Sequence, residues 1–411
     1  KILFGQIQTR IMSLGVFSFV RFFRYFCIMK HVFRLMAVFA MLAMASYIEM
    51  TACTSAIVSA KANPYGRPML WKHRDTSTID NKVEYVAAKN GDHAYVALFN
   101  AADRRLEQAW TGMNDAGFAI MNTASYNLKD DKVSARKMDR EGYVMTIALR
   151  TCRTVDDFAR LLETLPRPMG VEANFGVIDA TGNGAFFETN NHSFTRFNLS
   201  DASDGLLVRT NYSHSGRPGE GYGFIREENA EHLLRPYAKR GEITPELLTE
   251  TASRSYWHSL MGRDFALPDS SERWVVDQDF IPRYKSTATI VIEGCRPLDD
   301  AAEATPSFVA DQYLMWTGLG FPPCAEIVPV WCRPDGVDPE LRGTARNGHS
   351  PMGDKVKARR AEVFPLKKGS GDRYVDMHRL VNREGTGYLQ VLVPQNLEVY
   401  ERIRSRRDSG R

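Results

Sequence analysis

Short β-forming runs, closed by turn residues and separated by amphipathic helical stretches, fill this chain from about residue 53 onward, and they restrict its fold more than any other feature. Residues 95–99 (Tyr-Val-Ala-Leu-Phe) predict a strand. Residues 108–122 predict a hairpin turning at Asn114-Asp115-Ala116-Gly117. Residues 174–179 and 185–189 predict another, around Thr181-Gly182-Asn183-Gly184. Residues 205–210 and 287–293 are further strands. Thr154 caps a helix, and Asp157 three residues later comes close to a capping box. Val155, Phe158, Leu161, Leu162 and Leu165 form the apolar face, and Pro166 ends it. A second helix is expected from about residue 224 to 239, stopping at Gly241, and a third from Thr244-Pro245. Hairpins with interspersed helices lead to a layered α+β architecture, in one large domain over residues 53–411.

Composition bounds the partners. With 411 residues, 44% hydrophobic and 25% charged, the chain can bury a large core, and disorder, collagen-like repeats and a small disulfide scaffold are excluded. Six of the 53 Lys and Arg lie in residues 1–52 (Lys1, Arg10, Arg21, Arg24, Lys30, Arg34), against one acid, Glu49. The other 359 residues keep 47 bases and 48 acids, a near-neutral body that makes a poor nucleic-acid partner.

Residues 1–52 read as a leader. Met29 is the expected start, with residues 1–28 an over-extended reading frame. Met29-Lys30-His31-Val32-Phe33-Arg34 is a basic n-region, residues 35–45 an apolar h-region, and residues 46–52 a c-region ending in a small residue. The apolar run falls short of the ~20 residues that span a bilayer. The expectation is a signal peptide over about 29–52 and export to the periplasm or medium, with membrane contact only in transit. Cleavage after Ala52 makes Cys53 the first residue. Two uses of that thiol compete. Met50-Thr51-Ala52-Cys53 can be a lipobox, Cys53 then anchoring a surface ligand-binding lipoprotein. Alternatively Cys53 is a free N-terminal nucleophile. A sulfur held in a thioether cannot attack a carbonyl, so the two uses exclude one another.

Other motifs are weak. There is no zinc-helix signature and no Cys-x-x-Cys pair, and the nine His show no metal-ligand spacing. Gly318-Leu319-Gly320 and Gly385-Thr386-Gly387 read as turns, and Gly348-His349-Ser350-Pro351 misses the nucleophile-elbow spacing. His214, between Ser213 and Ser215, could act as a base but reads as a structural loop residue. Cys152, Cys295, Cys324 and Cys332 allow two disulfides or four buried thiols. The tail Arg404-Ser405-Arg406-Arg407 reads as a solvated end.

Four segments fit together: Cys53-Thr54-Ser55-Ala56-Ile57-Val58 directly after the leader; residues 63–75, ending in Lys72-His73-Arg74-Asp75; Gly112-Met113-Asn114-Asp115-Ala116-Gly117 with Asn122 downstream; and Val208-Arg209-Thr210-Asn211 followed by Arg226. Together they resemble the N-terminal-nucleophile hydrolases of the choloylglycine hydrolase, penicillin V acylase and acyl-CoA:6-aminopenicillanic acid acyltransferase group. The resemblance implies a four-layer αββα sandwich that hydrolyses a linear, non-peptide amide through a thioester, with acyl transfer to an amine as a second outcome. It implies Cys53 as nucleophile, Asp75 orienting Cys53 and its amine, Asn211 and Asn122 as oxyanion donors, and Arg226 as the family's later arginine. It implies a small acyl-amide substrate and no cofactor or metal. The family's usual Arg-Asn-x-Asp segment reads Lys72-His73-Arg74-Asp75 here, so either Lys72 or Arg74 stands for its arginine.

The residues suit this chemistry on their own terms. A free α-amine has a pKa of roughly 7.7–8.0 and can exchange protons near neutrality. When the N-terminal residue also carries the thiol, one residue supplies nucleophile and base, and no histidine is required. Asparagine amides donate to an oxyanion without adding charge.

Overall fold

The computed structural model describes residues 52–130, 132–367 and 373–408. Apart from Ala52, the leader expected over residues 1–52 lies outside the described residues. Seventeen strands appear among those described: β1 (Thr54–Val58), β2 (Met69–Asp75), β3 (Asn81–Val86), β4 (Tyr95–Asn100), β5 (Thr111–Asn114), β6 (Ala119–Ala124), β7 (Ala173–Ile178), β8 (Gly184–Thr189), β9 (Phe194–Asn198), β10 (Leu206–Arg209), β11 (Trp257–His258), β12 (Arg263–Asp264), β13 (Trp274–Val276), β14 (Ser286–Glu293), β15 (Leu314–Leu319), β16 (Val328–Val330) and β17 (Tyr374–Asp376). Strands β3 to β9 form a seven-stranded antiparallel meander in chain order. A six-stranded antiparallel sheet has the order β10-β1-β2-β14-β15-β16, so chain ends far apart in sequence meet at its centre.

The hairpin expected over residues 108–122 forms as β5–β6. Gly117 sits at φ +79° in its turn, a conformation that costs glycine least. Asn114 holds the turn: its Oδ1 accepts from the N–H of Ala116 (3.1 Å) and Phe118 (3.0 Å). Its Nδ2 donates to the carbonyls of Leu149 and Cys152, at the end of helix α1 (Glu141–Thr151). Helix α2 (Val155–Thr164) starts as expected, with Thr154 Oγ1 accepting from Asp157 N–H at 3.1 Å and the Asp157 carboxylate accepting from Thr154 N–H at 2.9 Å.

Three apolar layers follow from the period-2 alternation of the strands. Ile57, Leu70 and Ile290 face Val96, Leu98, Met113, Met121 and Phe186 between the two sheets. The outer face of the meander, with Phe118, Phe175 and Phe187, packs on α1 and α2. There Phe158 meets the three rings at centroid distances of 6.3, 5.6 and 5.1 Å. Removing such a ring costs about 3–5 kcal/mol. The outer face of the other sheet, with Val58, Trp71, Val291 and Trp316, packs on α3 (Phe224–Ala238) and α4 (Tyr388–Asp408). The layers are therefore helix, sheet, sheet, helix, as expected. None of the helices described is long and apolar enough to cross a membrane.

Two elements depart from expectation. Thr244 does cap the third helix, its Oγ1 accepting from Leu247 N–H at 3.2 Å, but Leu247–Thr251 winds as a wide π-type coil. The widening lets the Ser253 hydroxyl reach both Leu248 O and Trp71 Nε1, each at 2.9 Å. The tail is no solvated end. It completes the 21-residue α4, where Arg404 pairs with Glu246 and Arg407 with Glu293 at 2.9 Å.

Candidate active site

Cys53 immediately precedes β1, which lies between β10 and β2 in the six-stranded sheet, and is 6% exposed. Its backbone N–H donates to Asn211 Oδ1 at 2.7 Å. Arg226, on the first turn of α3, donates through Nη1 to the Cys53 carbonyl at 2.5 Å and through Nη2 to the same Asn211 oxygen at 2.8 Å. Gly223 (φ +92°) admits this arginine: a Cβ there would lie 2.3 Å from Nη2. Burial pushes the Arg226 guanidinium down to about 9. Asn211 thus sits at the Cys53 nitrogen through its oxygen, a contact the resemblance did not supply. Its Nδ2 gives one proton to Ala124 O at 2.9 Å, and no second acceptor lies in reach among the described residues.

Alternation along β2 splits the remaining side chains between two faces. The register Ser55↔Lys72, Thr54↔His73 puts Lys72 and Arg74 on the face between the sheets, and His73 and Asp75 on the opposite face with Trp71. Asp75 is fully buried. Its Oδ1 accepts from Ser286 Oγ at 2.6 Å, Oδ2 is paired with Arg283, and His73 Nε2 lies 3.4 Å away. Burial alone would raise the carboxyl, but the charge of Arg283, with His73 and Arg226 behind it, holds it well below the usual carboxylate range. The carboxylate does not contact the Cys53 nitrogen; it is the Asp75 backbone oxygen that meets the thiol, at 3.8 Å from Sγ. The expectation that Asp75 orients Cys53 directly is thereby modified: its side chain organises Arg283, which also approaches Ala52 O at 3.5 Å.

On the other face Lys72 is 1% exposed, and its Nζ donates to Asn122 Oδ1 and Trp110 O, each at 2.7 Å. Burial pushes its ammonium down to about 7. Asn122 keeps Nδ2 without an acceptor among the described residues. Arg74 donates to Asn81 Oδ1 and, at 2.8 Å, to Asn100 Oδ1, with its guanidinium 5.1 Å from the Trp110 ring centroid. Burial lowers it to about 10. Both bases therefore reach the inter-sheet face.

All six residues expected from the sequence, Cys53, Lys72, Asp75, Asn122, Asn211 and Arg226, come together around the start of β1. Arg283, Ser286 and His73 were missed. Arg283 and Ser286 flank the start of a strand that the sequence does signal, but nothing local reveals that β14 pairs with β2. His214 donates or accepts at Glu227 Oε1 (2.8 Å), and His349 lies between Asp80 and Asp354; neither stands beside a thiol. The ligand atoms of Asp80, His349 and Asp354 lie within 4.8 Å of one another, a cluster that spacing alone did not suggest, and Lys357 already pairs with Asp80 at 2.9 Å. Cys152, Cys295, Cys324 and Cys332 are free and buried. Burial raises all four thiols, Cys152 to about 12.

No curated protein sequence matches the chain. Among solved structures, it is similar to a Caenorhabditis elegans N-acylethanolamine-hydrolyzing acid amidase ortholog, with 16% identity and TM-score 0.41 over 62% of this chain and 97% of that one. It is also similar to a variant of conjugated bile acid hydrolase from Clostridium perfringens (12%, TM-score 0.40, 70% and 95%). A third is penicillin V acylase from Agrobacterium tumefaciens (11%, TM-score 0.35, 68% and 86%). Residues 69–240, which carry Lys72, Asp75, Asn122, Asn211 and Arg226, match the family model described as acyl-coenzyme A:6-aminopenicillanic acid acyl-transferase.

Proposed function

We propose that the protein is a cysteine N-terminal-nucleophile amide hydrolase, exported behind its leader, that cleaves linear carbon–nitrogen amide bonds. The observation that carries this reading is the 2.7 Å contact between the Cys53 nitrogen and Asn211 Oδ1, with Arg226 gripping both residues. Proteolysis between Ala52 and Cys53 turns that amide nitrogen into an amine in the same cradle. The amine takes the thiol proton, and the thiolate attacks the amide carbon. The oxyanion forms against the remaining amide protons of Asn122 and Asn211. The ammonium returns its proton to the leaving amine, the C–N bond breaks, and a thioester remains. Water, deprotonated by the same amine, adds to the thioester and releases the acid and the thiol. An amine in place of water gives acyl transfer. No step needs a metal or cofactor. The burial of Cys53 argues against the lipid-anchor alternative, since an acylated sulfur must leave the domain to reach a membrane.

The test is an intact-mass measurement of the mature N-terminus together with turnover of acyl amides. The reading expects an unmodified Cys53 at the N-terminus, no activity in Cys53→Ala and full activity in Cys152→Ala. A diacylglycerol adduct on Cys53, or a leader still joined to it in active protein, rejects it.

A further inference from the structure

The end of β2 away from Cys53 opens on a strongly basic crevice of about 540 Å³. Five guanidiniums line it: Arg67 just before β2, Arg296 just beyond β14, and Arg404, Arg406 and Arg407 on the last turns of α4. Cys53 lies at the Asp75 end of β2, beside the Thr54↔His73 pair. At ~3.3 Å per strand residue, the Met69 end of the same strand is about 20 Å away. No residue of the candidate active site lines the crevice.

The charges in it do not balance. Glu293 and Asp311 are the acids that line it among the described residues, and Glu246 pairs with Arg404 from beside it, which leaves a surplus of two positive charges. Glu293 is already committed. Its Oε1 takes Arg407 at 2.9 Å and Arg67 at 3.7 Å, and its Oε2 accepts from Trp316 Nε1 at 3.2 Å. Arg296 pairs with no carboxylate among the described residues; its Nε donates to Tyr65 O at 3.4 Å. Burial lowers the Arg67 guanidinium and Glu293 opposes the shift, while Arg407 and Arg296 add to it, so the cations repel one another across the crevice. Arg67 and Arg407 have a structural use, since both donate to Gln312 O at the end of the helix Pro306–Gln312. That use does not extend to Arg296 and Arg406, which are exposed and line the same crevice.

We propose that this crevice is a second ligand site, remote from the thiol, that binds a phosphate group. Guanidinium forks match phosphate oxygens two at a time, and a group with two or more negative charges answers the surplus better than one carboxylate does. The body as a whole is near-neutral, so the positive charge is local and fits a discrete phosphate and not an extended polymer. A small organic phosphate and a phospholipid headgroup both carry this chemistry. The site stands apart from the amide-hydrolase reading and does not depend on it.

Isothermal titration of the processed protein with pyrophosphate and with malonate, at about 0.1 M salt, tests the site. One pyrophosphate per chain is expected, with a Kd of about 0.1 mM or lower and malonate about tenfold weaker or more. Arg296→Gln combined with Arg406→Gln should weaken pyrophosphate about tenfold or more. Arg296→Gln alone, which leaves α4 untouched, should weaken it about threefold or more. Arg105→Gln with Arg346→Gln removes two exposed charges outside the crevice and should leave binding unchanged. Co-sedimentation with phosphatidylglycerol vesicles, against phosphatidylcholine, separates the sources. Sedimentation lost in the crevice variants assigns a lipid headgroup, and pyrophosphate binding without sedimentation assigns a small phosphate. The site is overturned if neither pyrophosphate nor phosphatidylglycerol binds, if the crevice variants bind as tightly as the parent, if the control pair loses as much, or if malonate binds as tightly as pyrophosphate.

Discussion

Cys53 and Asn211, 158 residues apart in sequence, meet through a 2.7 Å hydrogen bond from the backbone nitrogen of one to the side-chain oxygen of the other. Asn211 lies just beyond β10, and β10 and β1 are neighbours in the sheet, so the contact is a consequence of strand pairing. Asn211→Leu keeps the volume and removes the acceptor. It is expected to lower kcat/KM by about 10²-fold or more, as misplacement of a reacting group does. Arg226 loses one acceptor, at a cost of about 1–3 kcal/mol. Steady-state kinetics beside a urea titration would separate the two effects, and unchanged kcat/KM in a folded variant would refute the assignment.

Asp75 balances Arg283, and its replacement by Asn leaves that guanidinium without a counter-charge. Breaking a buried pair costs about 3–5 kcal/mol; with the Arg283 side chain 20% exposed, about 3 kcal/mol is expected for Asp75→Asn. The sign with pH follows from the lowered carboxyl. Asp75 contributes stability above the unfolded value of about 3.9 and loses it as pH falls below that. The deficit of Asp75→Asn should therefore be full at neutral pH and shrink in acid. A deficit independent of pH would count against the ion pair.

Lys72 behaves in the opposite sense. Its folded value of about 7 lies below the unfolded value of about 10.4, so burying it as a cation costs stability. That cost is full below about pH 7 and vanishes as pH rises toward about 10.4. Compared with the parent, Lys72→Met should thus be relatively most stable at about pH 6 and lose that relative gain by about pH 10. Denaturation midpoints of both proteins across this range give the difference directly. A flat difference would mean that Lys72 holds its proton equally in the folded and unfolded chain, so that burial does not lower it.

Glu141, at the start of α1, offers a control remote from the chemistry. It is half-buried, makes no ion pair among the described residues, and accepts from Glu172 N–H at 3.0 Å. Burial pushes its carboxyl up to about 7. Stability is lost as pH rises from the unfolded value of about 4.3 through about 7. Glu141→Gln preserves the acceptor, so it should match the parent at about pH 4 and exceed it at about pH 8. Equal melting temperatures at the higher pH would argue against a carboxyl raised in the folded chain.

Much of the molecule can be read locally. The Asn114–Gly117 turn and the Thr154–Asp157 box form because side chains satisfy backbone groups two to four residues away, and those contacts survive in the folded chain. Cys53, Asp75, Asn122, Asn211 and Arg226 could be singled out because they lie in segments whose order and spacing resemble a family pattern. Helix α4 escaped because Pro394 interrupts it and its buried face mixes polar Asn396 with Leu392, Tyr400 and Ile403, which blurs the helical period. Asn396 is buried because it serves Ile327 N–H at 3.0 Å and Glu250 at 3.0 Å, partners that no spacing reveals.

Local sequence thus determined the strands, turns and caps, since hydrophobic alternation and short-range hydrogen bonds depend only on neighbours in the chain. The tertiary structure decided which groups face which. By pairing β2 with β14 it brought Arg283 and Ser286 to Asp75, and by alternation it sent Lys72 and Arg74 to the opposite face. Charge balance in a dry site depends on distances between segments up to 211 residues apart, as between Ser286 and Asp75, and those distances exist only once the sheets have closed on one another.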